Sequence, residues 1–187
     1  NGYAQAIVVF GRVLIGAAIL IPLAIKDRSI FDAIRGIKYV AFYALLEMVI
    51  PWILIGTAEQ KISSGLAGLL IASVPIWSNL ITYFQGDKDA LKANRLFGIG
   101  IGFIGVVLVV GIETFTGSSD PLSILMVIVA AIAYAYAIIM IRNKLPDVSG
   151  IAINGVAMAL TAIFYLPFTI ALWPDHTVSR EATYSVI

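Results

Sequence analysis

The sequence predicts an all-α polytopic transmembrane helix bundle. Of the 187 residues, 60% are hydrophobic and only 12% are charged, with a mean hydropathy of +0.99. Soluble domains are about 45–50% apolar and about 25% charged. Continuous apolar runs approach or reach the ~20 residues that a spanning helix needs, and they do not alternate with the period of a strand. The six predicted spans are residues 4–25, 37–56, 63–84, 96–112, 122–141 and 150–173.

Several chemistries lack the residues that they require. The chain has no cysteine, which excludes disulfides, thiolate chemistry and cysteine metal sites. Its one histidine, His176, lies in a polar stretch, so we expect no metal site and no cofactor. The net charge of +1 offers no field that attracts nucleic acid. The partner that the composition predicts is the lipid bilayer.

Positive residues give the predicted spans an orientation. If every run crosses the membrane, nine lysines and arginines lie in the loops of one side, and only Lys61 and Arg180 lie on the other. Because cytoplasmic loops carry the excess of basic residues, we expect loops 26–38, 85–95 and 142–149 to be cytoplasmic. The nine residues are Lys26, Arg28, Arg35, Lys38, Lys88, Lys92, Arg95, Arg142 and Lys144.

Helix-start signals precede two of the runs. Ser63 and Ser64 are expected to cap the third run, because a serine oxygen accepts a hydrogen bond from a free N–H of the first turn. Ser119 and Asp120 stand before Pro121, which predicts a cap followed by proline at the first helical position. Both signals place helix starts where apolar runs begin.

Two charges lie inside predicted spans, Arg12 in the first and Glu47 in the second. A charge at that depth costs at least about 2.5–3.5 kcal/mol, so it should be paired or face water. At 1.5 Å per residue the two lie roughly 20 and 15 Å from the same membrane edge, which predicts an Arg12–Glu47 ion pair. Two alternatives stay open, a substrate-facing role for Arg12 and a protonatable, coupling role for Glu47.

Prolines interrupt the second and third runs. Pro51 removes the hydrogen bond to the carbonyl of Glu47, and Pro75 does the same to the carbonyl of Ile71. A free carbonyl suits a polar cavity, although membrane helices also tolerate harmless proline kinks. Other intramembrane polar or aromatic candidates, which could equally be interface anchors, are Trp52, Trp77, Asn79, Tyr134, Tyr136 and Asn154.

Small residues also recur at helical spacing. Ser64, Gly68 and Ala72 form a stripe of period four in the third run, and Gly98 and Gly102 begin another in the fourth. Such stripes allow close approach between membrane helices. We therefore expect both to be helix-packing faces.

The first and sixth runs resemble each other. Gly11 and Pro22 in the first correspond to Gly155 and Pro167 in the sixth, with similar apolar residues between them. The second copy lies five spans further along the chain, an odd number, so it must cross the membrane in the opposite direction. Inverted repeats of this kind enclose a midplane site in transporters.

The segment from Glu47 to Pro75, EMVIPWILIGTAEQKISSGLAGLLIASVP, resembles the EamA repeat of the drug/metabolite transporter (DMT) superfamily. That repeat has a proline in its third helix, an Ala-Glu turn, a Ser-Ser start to the fourth helix and a proline within it. Arg12 matches the arginine of the repeat's second helix, and residues 95–106 look like the start of the fifth.

The resemblance implies a fragment of a ten-helix carrier with two inverted five-helix repeats. Residues 1–113 would be the last four helices of the first EamA repeat. Residues 114–187 would be the first two helices of the second repeat and the start of its third. Helices one, nine and ten and most of helix eight are then expected to lie outside this chain.

The resemblance also implies a function and a location. We expect a secondary transporter of the bacterial cytoplasmic (inner) membrane, not an enzyme, that exports small metabolites such as amino acids or amines by alternating access at a midplane cavity. A coupling proton and a homodimer are left open. The alternatives are an intramembrane enzyme using Glu47 and Arg12, or a membrane scaffold. The expected substrate-binding residues are Arg12, Glu47, Pro51, Trp52, Pro75, Asn79, Tyr134 and Asn154, with no catalytic or metal-binding residue.

Overall fold

The computed structural model describes residues 4–110 and 120–173, and these two ranges contain helices and no strand. The all-α prediction is therefore confirmed. The helices are α1 (Gln5–Lys26), α2 (Ile30–Arg35), α3 (Ile37–Ala44), α4 (Ile50–Ala58), α5 (Ser64–Ile71), α6 (Val74–Phe84), α7 (Ala93–Val110), α8 (Pro121–Lys144) and α9 (Gly150–Ala171). A π-helical turn, Leu45–Val49, joins α3 to α4, and a 3-10 turn, Lys88–Leu91, precedes α7.

Five helical stretches are long and apolar enough to cross a membrane. They are Gln5–Lys26, Ile37–Ala58, Ser64–Phe84, Pro121–Lys144 and Gly150–Ala171, and they match five of the six predicted spans. The fourth predicted span corresponds to α7, an apolar helix that is shorter over its described length. The end of that span, at residues 111 and 112, lies outside the described residues.

These helices carry large apolar side chains on their exposed surface as well as on their packed surface. On α1, Val9, Val13 and Ala17 are buried, whereas Leu14 and Ile19 are 48% and 58% exposed. A contiguous apolar exterior of this kind is unfavourable in water. It fits hydrocarbon, where leucine and isoleucine remain in contact with lipid tails.

The chain forms two compact units. One comprises residues 1–48 and 143–187, and the other comprises residues 49–142. In the first, α1 packs antiparallel against α9, which also packs against α2 and α3. Near one end Thr169 Oγ1 is 3.5 Å from the carbonyl oxygen of Ala6, and towards the other end Gly155 lies against Leu20.

The α1–α9 contact depends on glycine. A Cβ added at Gly155 would lie 3.2 Å from Leu20 Cβ and 3.3 Å from the Leu20 backbone carbon. A Cβ added at Gly16 would overlap the Met158 thioether. Small residues let helix backbones approach closely enough for dispersion contacts, which drive association where no hydrophobic effect operates.

In the second unit, an apolar core forms where α4, α5 and α8 meet. Its buried members are Ala58, Ile62, Leu66, Ala67 and Val127. Ser63 caps α5, as predicted, because its Oγ accepts a hydrogen bond from the Leu66 N–H at 3.2 Å. Ser64 forms the first residue of α5 rather than the cap.

Asp120 caps α8, which confirms that part of the second start signal. Its Oδ2 accepts hydrogen bonds from the Ser123 N–H at 2.9 Å and the Ser123 hydroxyl at 2.8 Å. Its Oδ1 is 3.6 Å from Lys61 Nζ. Ser119, the other predicted cap residue, lies outside the described residues.

We predict that Gly155→Val destabilises the protein, because the added methyl groups would press on the Leu20 backbone. Overpacking of this kind costs about 1–3 kcal/mol. Thermal unfolding in detergent should show a lower Tm. Gly150→Val is the control on the same helix, since a Cβ there meets no atom within 4 Å. An equal loss in both variants would contradict the proposed close contact.

We also predict that Asp120→Ala lowers the Tm at pH 7. The hydrogen bonds from Ser123, followed by the Lys61 charge, lower the pKa of Asp120. A lowered folded-state pKa contributes stability above the unfolded value, about 3.9, and that contribution is lost as the pH falls through the folded value. The Tm difference from wild type should thus be present at pH 7 and shrink below about pH 4. Asp147→Ala, at an exposed carboxylate that has no ion pair with a described residue, is the control, and a difference that grows in acid would refute the assignment.

Candidate functional site: a carboxylate at an irregular turn in a spanning helix

The second spanning helix widens into a π turn at Glu47. The turn covers Leu45–Val49, and Pro51 follows in the first turn of α4. Pro51 has no N–H to donate to the Glu47 carbonyl, so the ordinary α-helical ladder is interrupted there. Single π turns within α-helices are frequent at functional sites. The irregularity that the sequence predicts at Pro51 is therefore present, as a π turn.

Glu47 carries a buried oxygen that lacks a partner. Its Oε2 has less than 1 Å² of exposed surface and no hydrogen-bond partner among the described residues. Leaving a buried polar group unsatisfied costs about 1–3 kcal/mol, and more for a charged group. The carboxyl is thus held at a cost that a bound proton or cationic group would reduce.

The predicted ion pair between Arg12 and Glu47 is wrong. No ion pair joins Arg12 to Glu47 in the described part of the chain, where ion pairs include Arg35–Asp32, Lys61–Asp120, Lys92–Asp89 and Arg95–Asp87. Arg12 lies on the exposed side of α1. The prediction assumed that consecutive spans are neighbours, but α1 packs chiefly against α9, and α3 packs against α9 as well.

Tyr43 and Asn154 connect α3 to α9 one helical turn from Glu47. The Tyr43 hydroxyl donates to Asn154 Oδ1 at 3.2 Å, and Asn154 Nδ2 donates to the Gly150 carbonyl at 2.9 Å. Tyr43 precedes Glu47 by four residues, a spacing that places two side chains on one helix face. Sequence reasoning missed Tyr43, although this spacing was available as a signal.

Met48 and Thr161 make a second contact between the same two spanning segments. Thr161 Oγ1 donates to the Ala157 carbonyl at 2.9 Å and lies 3.5 Å from Met48 Sδ. Thr161 is 1% exposed and Met48 is 4% exposed. Polar contacts on both sides of Glu47 in the sequence thus hold this stretch against α9.

The third spanning segment is interrupted at Ser73, between α5 and α6. Ser73 Oγ donates to the Leu70 carbonyl and accepts a hydrogen bond from Trp77 Nε1 at 3.0 Å. Pro75 lies in the first turn of α6. The Leu70 carbonyl also accepts a hydrogen bond from the Ser73 N–H at 3.1 Å, so both donors of Ser73 bond to it at the break.

Pro75 and Asn79 line a cavity of about 980 Å³ within residues 49–142. That volume is at the upper end of the ~300–1,000 Å³ usual for small-molecule sites. Asp87 on the connecting loop also lines it. The other polar lining residues, which sequence reasoning did not place in a site, are Ser78, Thr82, Asn94, Arg95 and Arg142.

The remaining candidates lie elsewhere. Pro51 is buried, and Trp52 and Tyr134 are half-buried, on α4 and α8. None of the three lines this cavity. Their roles in substrate binding stay predictions, as does that of Arg12.

Metal ligands are not grouped in the described part of the chain. Residues 4–110 and 120–173 contain no cluster of three or more His, Asp or Glu side chains that could hold an ion. His176 lies outside these ranges. The polar groups of the candidate site are the Glu47 carboxyl, the Tyr43 phenol and the Asn154 amide.

A family model decides what this helix bundle is related to. The model of the EamA-like transporter family matches residues 3–111, more than half of the chain. The chain belongs to the EamA-like transporter family. Membership in the EamA family, together with the five apolar helices, makes it an integral membrane protein, and the resemblance seen in residues 47–75 is confirmed.

Two curated relatives are similar to this EamA chain. An uncharacterized transporter of Clostridium kluyveri is 24% identical over 160 residues, which cover 82% of this chain and 51% of the relative. The uncharacterized transporter YdfC of Bacillus subtilis is 26% identical over 132 residues, which cover 70% of this chain and 42% of the relative. The chain thus spans about half the length of the curated relatives it matches. No solved structure gives a significant match.

We predict a measurable coupling between Tyr43 and Asn154. Tyr43→Phe and Asn154→Ala each remove one partner of the hydrogen bond between α3 and α9. Interhelical hydrogen bonds in membranes contribute about 0.6 kcal/mol on average. A double-mutant cycle of unfolding free energies should give a coupling of that order. Additive effects of the two substitutions would show that the bond contributes nothing to stability.

Proposed function

We propose that the complete protein is a secondary carrier that exports small metabolites bearing an amine, such as amino acids or amines, across the bacterial cytoplasmic membrane. Glu47, with Tyr43 and Asn154 beside it, would form the polar part of the binding site. Membership in a transporter family and the names of both relatives support the class. The substrate and the direction of transport are parts of this proposal.

The unpartnered oxygen of Glu47 carries the proposal. A carboxyl in hydrocarbon persists where function requires it, and its default interpretation is a substrate or ion site. An ammonium group would satisfy Oε2 with a charge-assisted hydrogen bond. A proton would do so by neutralising the carboxyl, which makes proton exchange at the same group the simplest means of coupling.

The packing of α1 on α9 supports alternating access. These are the two helices that carry the repeated sequence, and they run antiparallel with Gly16 near the middle of their contact. Copies related by an axis in the membrane plane have this arrangement. We propose that the division at residues 113 and 114 separates two inverted repeats, and that they rock about the midplane.

The charge distribution supports an orientation. We propose that loops 26–38, 85–95 and 142–149 face the cytoplasm, because they carry nine of the twelve lysines and arginines. Both relatives are bacterial, which fits the cytoplasmic membrane. In this orientation α1 runs from outside to inside.

The geometry gives no support to the alternative of an intramembrane enzyme that uses Arg12 and Glu47 together. That interpretation required Arg12 and Glu47 to act as a pair, and the structure does not bring them together. A scaffold would have no use for an unsatisfied carboxyl, which offers nothing to a packed helix partner and costs stability. The observations therefore favour the carrier.

We predict that Glu47→Gln reduces export by about tenfold or more, since a hydrogen bond to a charged group is worth about 1.5–3 kcal/mol. The measurement is efflux of amino acids and amines from proteoliposomes that contain the full-length protein. Glu59→Gln is the control, because Glu59 is an exposed carboxylate in the same sequence segment. Unchanged flux in folded Glu47→Gln would remove Glu47 from the site, and no flux of any tested amine by folded wild type would contradict the carrier.

A further inference from the structure

The cavity within residues 49–142 has a cationic end that the proposed carrier mechanism does not use. α6 ends at Phe84 and α7 begins at Ala93, so the short connection between them lies at one end of the cavity. Asp87, Arg95 and Arg142 line it from that connection, from the start of α7 and from the last turns of α8.

The charges at this end are not balanced. Arg95 Nη1 is 3.5 Å from Asp87 Oδ2, so this carboxylate already has a partner. Arg142 forms no hydrogen bond or ion pair with any residue in the two described ranges. The N-terminal end of the α7 helix dipole adds positive potential at the same end. The two guanidinium groups and one carboxylate therefore leave a net positive charge that favours an anionic group.

Most of the cavity away from this end is apolar. Its deeper walls are aliphatic and aromatic, formed by Ile99, Phe103, Val106, Ile138 and Ile139. Two polar residues of α6 that line the cavity donate to their own helix: Asn79 Nδ2 to the Pro75 carbonyl at 2.8 Å and Thr82 Oγ1 to the Ser78 carbonyl at 2.7 Å. The aliphatic and aromatic walls favour an occupant that is apolar along most of its length.

Glycines give this apolar part an open groove along α7. Gly98 and Gly102 line the cavity, and a Cβ at either position would meet no atom within 4 Å. The predicted helix-packing face is thus unoccupied among the described residues. From Arg95 to Val106 the groove rises roughly 16 Å, which is about half of a ~30 Å hydrocarbon core. That is the depth of one leaflet and hence of one acyl chain.

We propose that this cavity binds an anionic phospholipid. The phosphate lies at Arg95 and Arg142, and one acyl chain lies along the glycine face of α7. On the same helix, Phe97 and Ile101 are 71% and 56% exposed. Lipid-exposed side chains therefore flank the groove, and a chain can enter it from the bilayer. Basic pockets between membrane helices hold anionic headgroups in this manner.

The test is equilibrium binding of phosphatidylglycerol to the purified full-length protein in detergent, followed by native mass spectrometry and by the lipid-induced rise in Tm. We expect phosphatidylglycerol to bind at least about fivefold more tightly than phosphatidylcholine, and Arg142→Gln to remove about fivefold of that affinity. Lys88→Gln is the control, since it removes a positive charge from the same loop but not from the cavity lining. Equal affinity for the two lipids would overturn the proposal.

The acyl-chain part is tested separately with glycine variants. Gly102→Leu should fill the groove and weaken phosphatidylglycerol binding while the protein stays folded. Gly100→Leu should leave it unchanged, because Gly100 has equal room for a side chain but does not line the cavity.

Glycerol 3-phosphate distinguishes the source of the phosphate. If this water-soluble headgroup raises the Tm as much as the lipid does, the cavity is a site for a soluble anion and the proposal is wrong. These measurements involve no transport, so they stand or fail independently of the role of Glu47.

Discussion

Every backbone N–H and C=O group in a bilayer must find its partner within the protein, because the hydrocarbon supplies none. This constraint explains why the described residues form long helices. It also makes the few places informative where the backbone hydrogen-bond pattern of a helix is interrupted. Pro51 and Pro75 each remove a donor inside a span. A π turn adjoins the first, and at the second the Ser73 hydroxyl donates to the Leu70 carbonyl.

The same constraint separates two kinds of polar side chain in the spans. Asn79, Thr82 and Thr161 donate to carbonyls one turn earlier in their own helices, so their polarity is largely internal. Glu47 has no donor to offer when ionised, and its Oε2 accepts none from the described residues. Tyr43 is different again, because it donates to another helix. Under the proposed function, a bound proton or ammonium group would satisfy this carboxyl.

The sequence was informative wherever a local rule applied. Apolar length predicted the five long spans, and the Ser63 and Asp120 caps followed from side-chain chemistry within three residues of each helix start. The family resemblance came from a continuous segment, Glu47 to Pro75. Helix adjacency could not be predicted in this way, since it depends on which backbones approach closely. The fit of Gly155 against Leu20 joins α1 to α9 across most of the chain, and the predicted pairing of Arg12 with Glu47 failed for that reason. The cavity could not be predicted either. In the sequence Arg95 and Arg142 are charges of two different loops, and they line one cavity only because α6, α7 and α8 surround it.

The π turn has a consequence for how this span tolerates change in length. A π turn contains one residue more than an α turn, and each residue turns an α-helix by about 100°. Deleting one residue between Leu45 and Val49 would remove the π turn, and it would rotate one part of the helix by that angle about its axis relative to the other. Tyr43 and Met48, which both contact α9, could then no longer do so together. The extra residue thus sets the rotational phase of the helix, and in a shorter segment these two side chains would point in the wrong relative directions.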